Sequence, residues 1–256
     1  MKQIVKKIFS FFGLEISRIH PDIKKLTFDK IYTRYLKTPL IFDVGANEGQ
    51  SIDRFKKIFK NPIIHSFEPI PNVFKKLEKK YGKDKNVILN NFAIGETEGE
   101  NYLNVTMGSA SSSLVDFMPD TNWLKNRSKQ YNVAPYKYIK EKIKVKTVSL
   151  DKYCEKNNIN KIDILKIDTQ AYEDKVLKGS KEILKKQLIF FIEAEIVLKE
   201  YYEKYFSFSD IENLIIPNNY RLCSIYLANN NIFDGTVFFT DNLYVNKKLL
   251  SLNKNV

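Results

Sequence analysis

The sequence predicts an α/β protein organised on a mostly parallel sheet, and three observations carry that reading. The stretch Leu40-Ile41-Phe42-Asp43-Val44-Gly45-Ala46-Asn47-Glu48-Gly49 leads three apolar residues into an acid and then into a turn with two glycines four apart. It reads as a buried strand whose tight turn opens a helix. Strand-length apolar runs then alternate with helical patterns along the chain, which indicates βα units. The run from Leu188 to Glu195 is almost wholly apolar, as a strand covered on both faces must be.

Residues 1–38 are expected to form an N-terminal helical cap, and residues 39–248 one domain with an insertion at about 107–141. Ile4, Val5, Ile8, Phe9 and Phe12 share a helical face beside Lys2, Lys6 and Lys7. That stretch is too short and too interrupted for a signal peptide. It reads as a helix that docks on the domain or on a second subunit, so a homo-oligomer is expected. A peripheral helix lying on a membrane surface is the alternative. A second helix spans Thr27 to Leu36, and Lys37-Thr38-Pro39 breaks it.

After the glycine turn, Ile52, Phe55, Ile58 and Phe59 keep an apolar helical face. Ile63 to Glu68 is the second strand, and Pro71 sits in the first turn of the next helix, which Gly82 closes. Val87 to Ala93 is expected as the third strand. Glu98-Gly99 reads as a hairpin turn, followed by a short antiparallel strand from Asn101 to Thr106. Residues 107–114 are small and polar, and read equally as a lid or a surface loop. Residues 116–140 form an aromatic, Lys-rich insertion that would line a pocket or close a dimer. Further strands are expected at Ile143–Val148, Asp163–Asp168 and Leu188–Glu195, with helices from Ser149 and over Phe208–Ile216. Tyr220–Leu227 and Thr236–Val245 form a terminal antiparallel pair.

Lys and Arg number 42 against 30 Asp and Glu, a net charge of +12. Such a surface suits nucleic acid, an anionic membrane or a phosphorylated substrate, but the lysines are spread along the chain. Cys154 and Cys223 form no C-x-x-C pair, so neither zinc nor a disulfide framework is expected. No apolar run reaches ~18 residues, so no transmembrane span is expected. A cytoplasmic protein fits, at the inner face of the membrane if the first helix lies there.

Charge selects the ligand of the glycine turn. The pattern is G-x-x-x-G and not the dinucleotide G-x-G-x-x-G, and Asp43 and Glu48 would repel a diphosphate. Two acids suit an ammonium and a sulfonium. Glu68 lies at the tip of the next strand, about 20 residues on, where a carboxylate takes both ribose hydroxyls. The residues therefore point to S-adenosylmethionine and away from NAD. Asp43 and Gly45 are assigned to its methionine part and the close backbone approach, with Asn47 and Gly49 in the same turn. Asn91 and Ala93 would lie beside the adenine.

Several stretches together resemble the FkbM-type methyltransferase family. They are Phe42-Asp43-Val44-Gly45-Ala46-Asn47-Glu48-Gly49, Phe67-Glu68-Pro69-Ile70-Pro71 and Val148-Ser149-Leu150-Asp151. The longest is Leu165-Lys166-Ile167-Asp168-Thr169-Gln170-Ala171-Tyr172-Glu173, with Val176-Leu177-Lys178-Gly179 after it. Glu195 before Tyr201-Tyr202, and Asp241-Asn242-Leu243-Tyr244-Val245, complete the set. The resemblance implies a Rossmann-like class I methyltransferase fold, a seven-stranded sheet with helices on both faces. It also implies S-adenosylmethionine-dependent O-methylation, often of sugar hydroxyls. A sugar-nucleotide or glycan precursor of a bacterial surface polysaccharide such as capsule is then the expected acceptor. Two departures matter. Ala171 stands where the family usually has Gly, which should narrow the space beside Asp168, and His65 is an unusual entry to the second strand tip.

Methyl transfer to a hydroxyl needs alignment and a base. Ligands of an open α/β sheet sit at the carboxyl ends of its strands, and Asp43, Glu68, Asp168 and Glu195 all fall there. Asp168 is the expected base or orienting acid, Glu195 the second candidate and Glu173 the third. Glu173 also reads as an ordinary first-turn helix acid. Glu193 is expected to be solvated or paired, and His65 to be a satisfied polar residue. Asp168 and Glu195 would be the ligands of a magnesium ion if one were used, but no dense cluster demands it and no metal site is assigned. Other functional readings are an RNA or other nucleic-acid methyltransferase or binder, N-methylation of an amino acceptor, and a catalytically inactive scaffold. No RNA-binding motif supports the first, so no specific nucleic-acid partner is expected. The intact Asp43, Gly45, Gly49 and Glu68 argue against the last.

Overall fold

The computed structural model describes residues 27–198, 201–203, 206–227 and 237–252. The chain divides into two units, Met1–Tyr35 and Leu36–Val256. In the first, helix α1 spans Phe28–Tyr35; the expected helix from Met1 to Phe12 lies outside the described residues. Among the described residues no helix is long and apolar enough to cross a membrane.

The second unit opens with β1 (Leu40–Val44), α2 (Gln50–Ile58), β2 (Ile63–Phe67), α3 (Pro71–Tyr81) and β3 (Val87–Asn90). It continues with β4 (Ala93–Ile94), β5 (Gly99–Thr106), α4 (Asn122–Gln130), β6 (Ile139–Val148), α5 (Leu150–Lys156) and β7 (Ile162–Ile167). It ends with α6 (Glu173–Lys178), α7 (Lys181–Lys185), β8 (Ile189–Val197), α8 (Phe208–Ile215), β9 (Tyr220–Leu227), β10 (Phe239–Asn246) and α9 (Lys247–Leu252). The main sheet has seven strands in the order β3-β2-β1-β7-β8-β10-β9. β10 is antiparallel to both neighbours, and the other pairs are parallel. The order reverses between β1 and β7, so a crevice opens at their carboxyl ends.

Residue alternation divides the sheet's two faces. Phe42, Val44, Leu165, Ile167, Ile192 and Ala194 share one core with Tyr153, Val176, Leu177, Ile211 and Ile215 from the covering helices. The opposite face carries a charged row in register. Asp43 pairs with Lys166 across β1–β7, and Lys166 with Glu193 across β7–β8. Arg54 from α2 closes the row with two bonds to Glu193, at 2.6 and 3.1 Å. Glu193 is thus paired and not solvated. His65 is a satisfied residue: its Nδ1 lies 2.7 Å from the Tyr153 hydroxyl and its ring stacks on Phe42.

The structure corrects three element assignments. The third strand stops at Asn90, and Ala93–Ile94 leaves the main sheet to pair with Thr147–Val148 in a second sheet of order β4-β6-β5. Glu98-Gly99 does not join paired strands, because β6 lies between β4 and β5. β6 also starts at Ile139, four residues before the predicted strand, because its first half pairs antiparallel with β5. The insertion is held to residues 201–203, which follow β8. Met118 N–H donates to the Tyr201 carbonyl at 2.7 Å, and Glu203 N–H to that of Asp116 at 2.8 Å.

Candidate active site

A cavity of about 450 Å³ lies at the carboxyl ends of β1, β2, β7 and β8. The turn after β1 forms part of its floor. Gly45 has φ +85°, and a β-carbon there would stand 1.9 Å from the Asp168 carbonyl oxygen. Only glycine lets the two strand ends approach this closely. Ala46 and Asn47 follow along the wall.

Glu68 lines the cavity beside them and is almost fully buried. Its Oε2 accepts the Asn47 N–H at 2.9 Å and its Oε1 the Ile70 N–H at 2.8 Å. Burial pushes its pKa up to about 7, helped by the charge of Asp43 and opposed by the two N–H groups. Each oxygen keeps a lone pair for a ligand hydroxyl. Ala93 and Ile94 line the same part. Residues 108–114 also line the cavity and are tied down, Ser109 Oγ donating to Asn47 Oδ1 at 2.8 Å and Ser113 Oγ to the Gln170 carbonyl at 2.5 Å.

Asp168 and Glu195 line another part, joined by one amide. Gln170 Nε2 donates to Asp168 Oδ1 at 3.0 Å and to Glu195 Oε1 at 2.8 Å. The Tyr202 hydroxyl holds the far side of that amide, donating to Gln170 Oε1 at 3.3 Å. Lys166 Nζ lies 3.2 Å from Asp168 Oδ2 and 3.6 Å from Asp43 Oδ1. Burial acts to lower the Lys166 pKa, but Asp168, Asp43 and Glu193 together raise it, so it stays charged. Glu195 is held well above the usual carboxylate range, first by burial and then by the charges of Asp168, Glu173 and Asp241. Trp123, Tyr201 and Phe238 supply an aromatic wall, with Trp123 stacked on Tyr201 at 5.0 Å and Phe238 4.7 Å from Tyr201.

Of the predicted site residues, Gly45, Asn47, Glu68, Ala93, Asp168 and Glu195 meet in this cavity. Four others do not line it. Asp43 is fully buried beneath the floor, where it faces Lys166 and neither oxygen has a hydrogen-bond partner. Gly49 has φ +89°, and a β-carbon there would meet the Tyr81 ring at 2.5 Å, so it serves the packing of α2 on α3. Asn91 turns back to the strand ends, donating to the Glu68 carbonyl at 2.9 Å. Glu173 accepts from the Thr169 N–H at 2.8 Å and the Thr169 hydroxyl at 2.9 Å, closing the turn as a first-turn helix acid; burial raises its pKa to about 7. Glu48, used in the charge argument, is exposed and paired with Lys76.

Ala171 also departs from expectation. It does not narrow the cavity, because its methyl packs into the aromatic cluster around Trp123 and Tyr202. Its φ of +69° shows why glycine suits the position. Alanine in this conformation costs ~1–2 kcal/mol. Replacement by glycine would forfeit about 0.8 kcal/mol of methyl burial and roughly 0.5–1 kcal/mol of chain entropy. These terms nearly cancel, so Ala171→Gly is expected to change unfolding stability by less than about 1 kcal/mol in urea titration. A loss well beyond that would mean that packing of the methyl, and not the backbone, dominates here.

The donor set does not fit a magnesium ion. Gln170 points an N–H at both carboxylates and Lys166 points an ammonium at one of them. Among the described residues no group of three His, Cys, Asp or Glu could hold a metal. The residues do fit a sulfonium nucleoside: a backbone cradle at Gly45, a preorganised carboxylate at Glu68 and acids around the remaining floor.

Lys166, Gln170, Tyr202 and Arg127 also line the cavity, and sequence reasoning does not single them out. Lys166 carried a signal, since a lysine inside an apolar strand needs a partner acid.

A seven-stranded sheet with one antiparallel strand next to the edge, and its cavity at the strand-order reversal, define a class I S-adenosylmethionine-dependent methyltransferase. The Methyltransferase FkbM domain matches residues 43–222, and the chain belongs to that family. It is 27% identical over 165 residues to the 2-O-methyltransferase NoeI of Sinorhizobium fredii (strain NBRC 101917 / NGR234). That match covers 64% of this chain and 66% of the relative, just under two thirds of its length. Among solved structures, magnesium protoporphyrin IX methyltransferase (ChlM) from Synechocystis PCC 6803 is similar, with TM-score 0.46, 10% identity and 96% of each chain covered. Precorrin-6y C5,15-methyltransferase from Geobacter metallireducens GS-15 has TM-score 0.44 and 9% identity, with 91% of this chain and 94% of that chain covered. Scores at this level add nothing to the strand order itself.

Proposed function

We propose that this protein O-methylates a hydroxyl of a sugar or glycan precursor. The observation that carries the reading is the pair Asp168 and Glu195, bridged by the Gln170 amide and set beside an aromatic wall. Aromatic faces suit the apolar faces of a sugar ring, and fixed carboxyls suit its hydroxyls. The 2-O-methyltransferase named above supports an oxygen nucleophile.

S-adenosylmethionine, when bound, supplies an already activated methyl group on a sulfonium. Gly45 and Asn47 would line its backbone cradle, and Glu68 would accept its ribose hydroxyls. Asp168 would accept a hydrogen bond from the acceptor hydroxyl and then its proton. Glu195 is the weaker candidate, because burial and the neighbouring acids disfavour its charged form. Gln170 fixes the separation of the two acids, and Tyr202 fixes Gln170.

Calorimetry with S-adenosylhomocysteine, using NAD as control, tests the donor site. Transfer of a labelled methyl group to sugar nucleotides and glycans then tests the acceptor. Micromolar binding of the homocysteine ligand alone, followed by labelling of a carbohydrate oxygen, is the expected result. Binding of NAD, or labelling of RNA in place of carbohydrate, would overturn it.

Affinity should also depend on pH. Glu68 must be ionised to accept two hydroxyls, and its pKa is about 7. Raising the pH toward 7 therefore strengthens binding by up to about tenfold per unit, with a plateau above. Titrations between about pH 6 and pH 8 should show this slope, and Glu68→Gln should flatten it. An equal slope in both proteins would assign the titrating group elsewhere.

A further inference from the structure

The cavity carries an arginine that no carboxylate neutralises among the described residues. Arg127 lines it from α4. Its Nη1 donates to Gln130 Oε1 at 3.0 Å, on the same helix. Its Nε is buried without a hydrogen-bond partner, and no carboxylate pairs with it among the described residues. The guanidinium carbon stands 5.7 Å from the Trp123 ring centroid. The Trp123 Nε1–H is a second buried donor without a partner. Tyr138 and Tyr201 pack against the same indole, and both hydroxyls feel the Arg127 charge.

A half-buried cation among aromatic rings is costly unless something supplies the opposite charge. Arg127 Nε and the indole N–H are closed to water, so a ligand meets the charge through the part of the side chain that lines the cavity. A planar guanidinium fork matches the oxygens of a carboxylate or phosphate. Elsewhere the cavity offers the contrary field: Glu68 and Asp168 are carboxyls, and Lys166 is already engaged by Asp168 and Asp43.

We propose that Arg127 is the anion-recognition residue of the acceptor site, so that the acceptor carries an oxyanion, a phosphate or a carboxylate, apart from the hydroxyl that is methylated. This rests on the acceptor reading above and adds the substrate's charge to it. The acids around Asp168 repel the anion and Arg127 attracts it, so the acceptor enters in one orientation. A neutral sugar lacks that guidance.

The test is calorimetric titration of protein saturated with S-adenosylhomocysteine, using uridine diphosphate and D-glucuronate as probes. Wild type should bind at least one of them; uridine diphosphate identifies a phosphate source and glucuronate a carboxylate source. Arg127→Gln should weaken that binding by about tenfold or more, and Arg127→Lys, which keeps the charge without the fork, by less. Affinity for S-adenosylhomocysteine should change less than about twofold in both variants. If the Gln variant does not fold, a severalfold loss in the Lys variant decides the matter. No binding of either probe to wild type overturns the proposal, as does equal binding by the variants. A loss of S-adenosylhomocysteine affinity of about tenfold also overturns it, because Arg127 would then hold the donor's own carboxylate. Wild type that binds S-adenosylhomocysteine and methylates neutral sugars, but takes neither anion, removes the role of Arg127 and leaves O-methylation standing. Wild type that binds no S-adenosylhomocysteine removes both.

Discussion

Asp168→Asn is expected to cut methyl transfer by about 10²- to 10⁴-fold, the usual range for loss of a positioned base, while S-adenosylhomocysteine binds as before. The amide keeps the shape of the carboxylate and its oxygen can still accept from Gln170, while its NH2 turns toward Lys166, which must shift toward Asp43. What it cannot do is take a proton from the acceptor hydroxyl. It also removes the negative partner that Lys166 Nζ approaches to 3.2 Å. Lys166 retains Asp43 and the in-register Glu193, so its charge remains compensated. The variant therefore separates proton transfer from structural support. The readouts are labelled methyl transfer to the acceptor found by screening, and calorimetry for the cofactor. Normal turnover would pass the role of base to Glu195. Parallel loss of turnover and cofactor affinity would mean that Asp168 belongs to the donor site.

The strand-end residues of this cavity are more legible in the sequence than its aromatic wall, for physical reasons. Gly45 and Glu68 lie at the ends of strands whose apolar runs are unmistakable, and their charge and spacing follow directly from the chain. The same logic places Asp168 and Glu195 at strand ends, and both line the cavity. Asn91 was misplaced because the break after Asn90 depends on a partner: Ala93–Ile94 pairs with Thr147–Val148, far along the chain. No local pattern records that exchange. Glu173 and Asp168 look alike in sequence, and only the turn through Gln170 and Ala171, both at positive φ, sends one inward and the other to the cavity. Trp123 and Arg127 belong to an insertion whose short helix is rich in Lys, Asn and Gln and lacks a clear apolar period. Its place in the site is set by backbone bonds to residues 201–203, which sequence spacing does not reveal.

Glu68→Ala is expected to weaken S-adenosylhomocysteine binding by about a hundredfold. Two charge-assisted hydrogen bonds to the ribose would be lost, each worth roughly 1.5–3 kcal/mol, and part of that is offset because the buried carboxylate need no longer be ionised. The fold itself should survive. The Asn47 and Ile70 N–H groups lose their acceptor, at roughly 1–3 kcal/mol each if water does not replace it. Against this, the Glu68 pKa in the folded protein, about 7, lies above its reference value of 4.5. The folded state therefore holds the proton more tightly, and its stability falls as pH rises from 4.5 to about 7. At pH above 7 the full difference, on the order of 3 kcal/mol, is removed with the side chain. Loss and relief are of similar size, so the unfolding midpoint of the variant should stay near wild type at neutral pH. It should fall below wild type in mild acid, where the wild-type carboxyl is protonated and no longer costs stability. Calorimetry for the ligand and thermal unfolding at two pH values check both parts. Unchanged affinity would remove Glu68 from the ribose site, whereas weakened affinity in a protein that is unstable at every pH would reduce its role to holding the turn between Asn47 and Ile70.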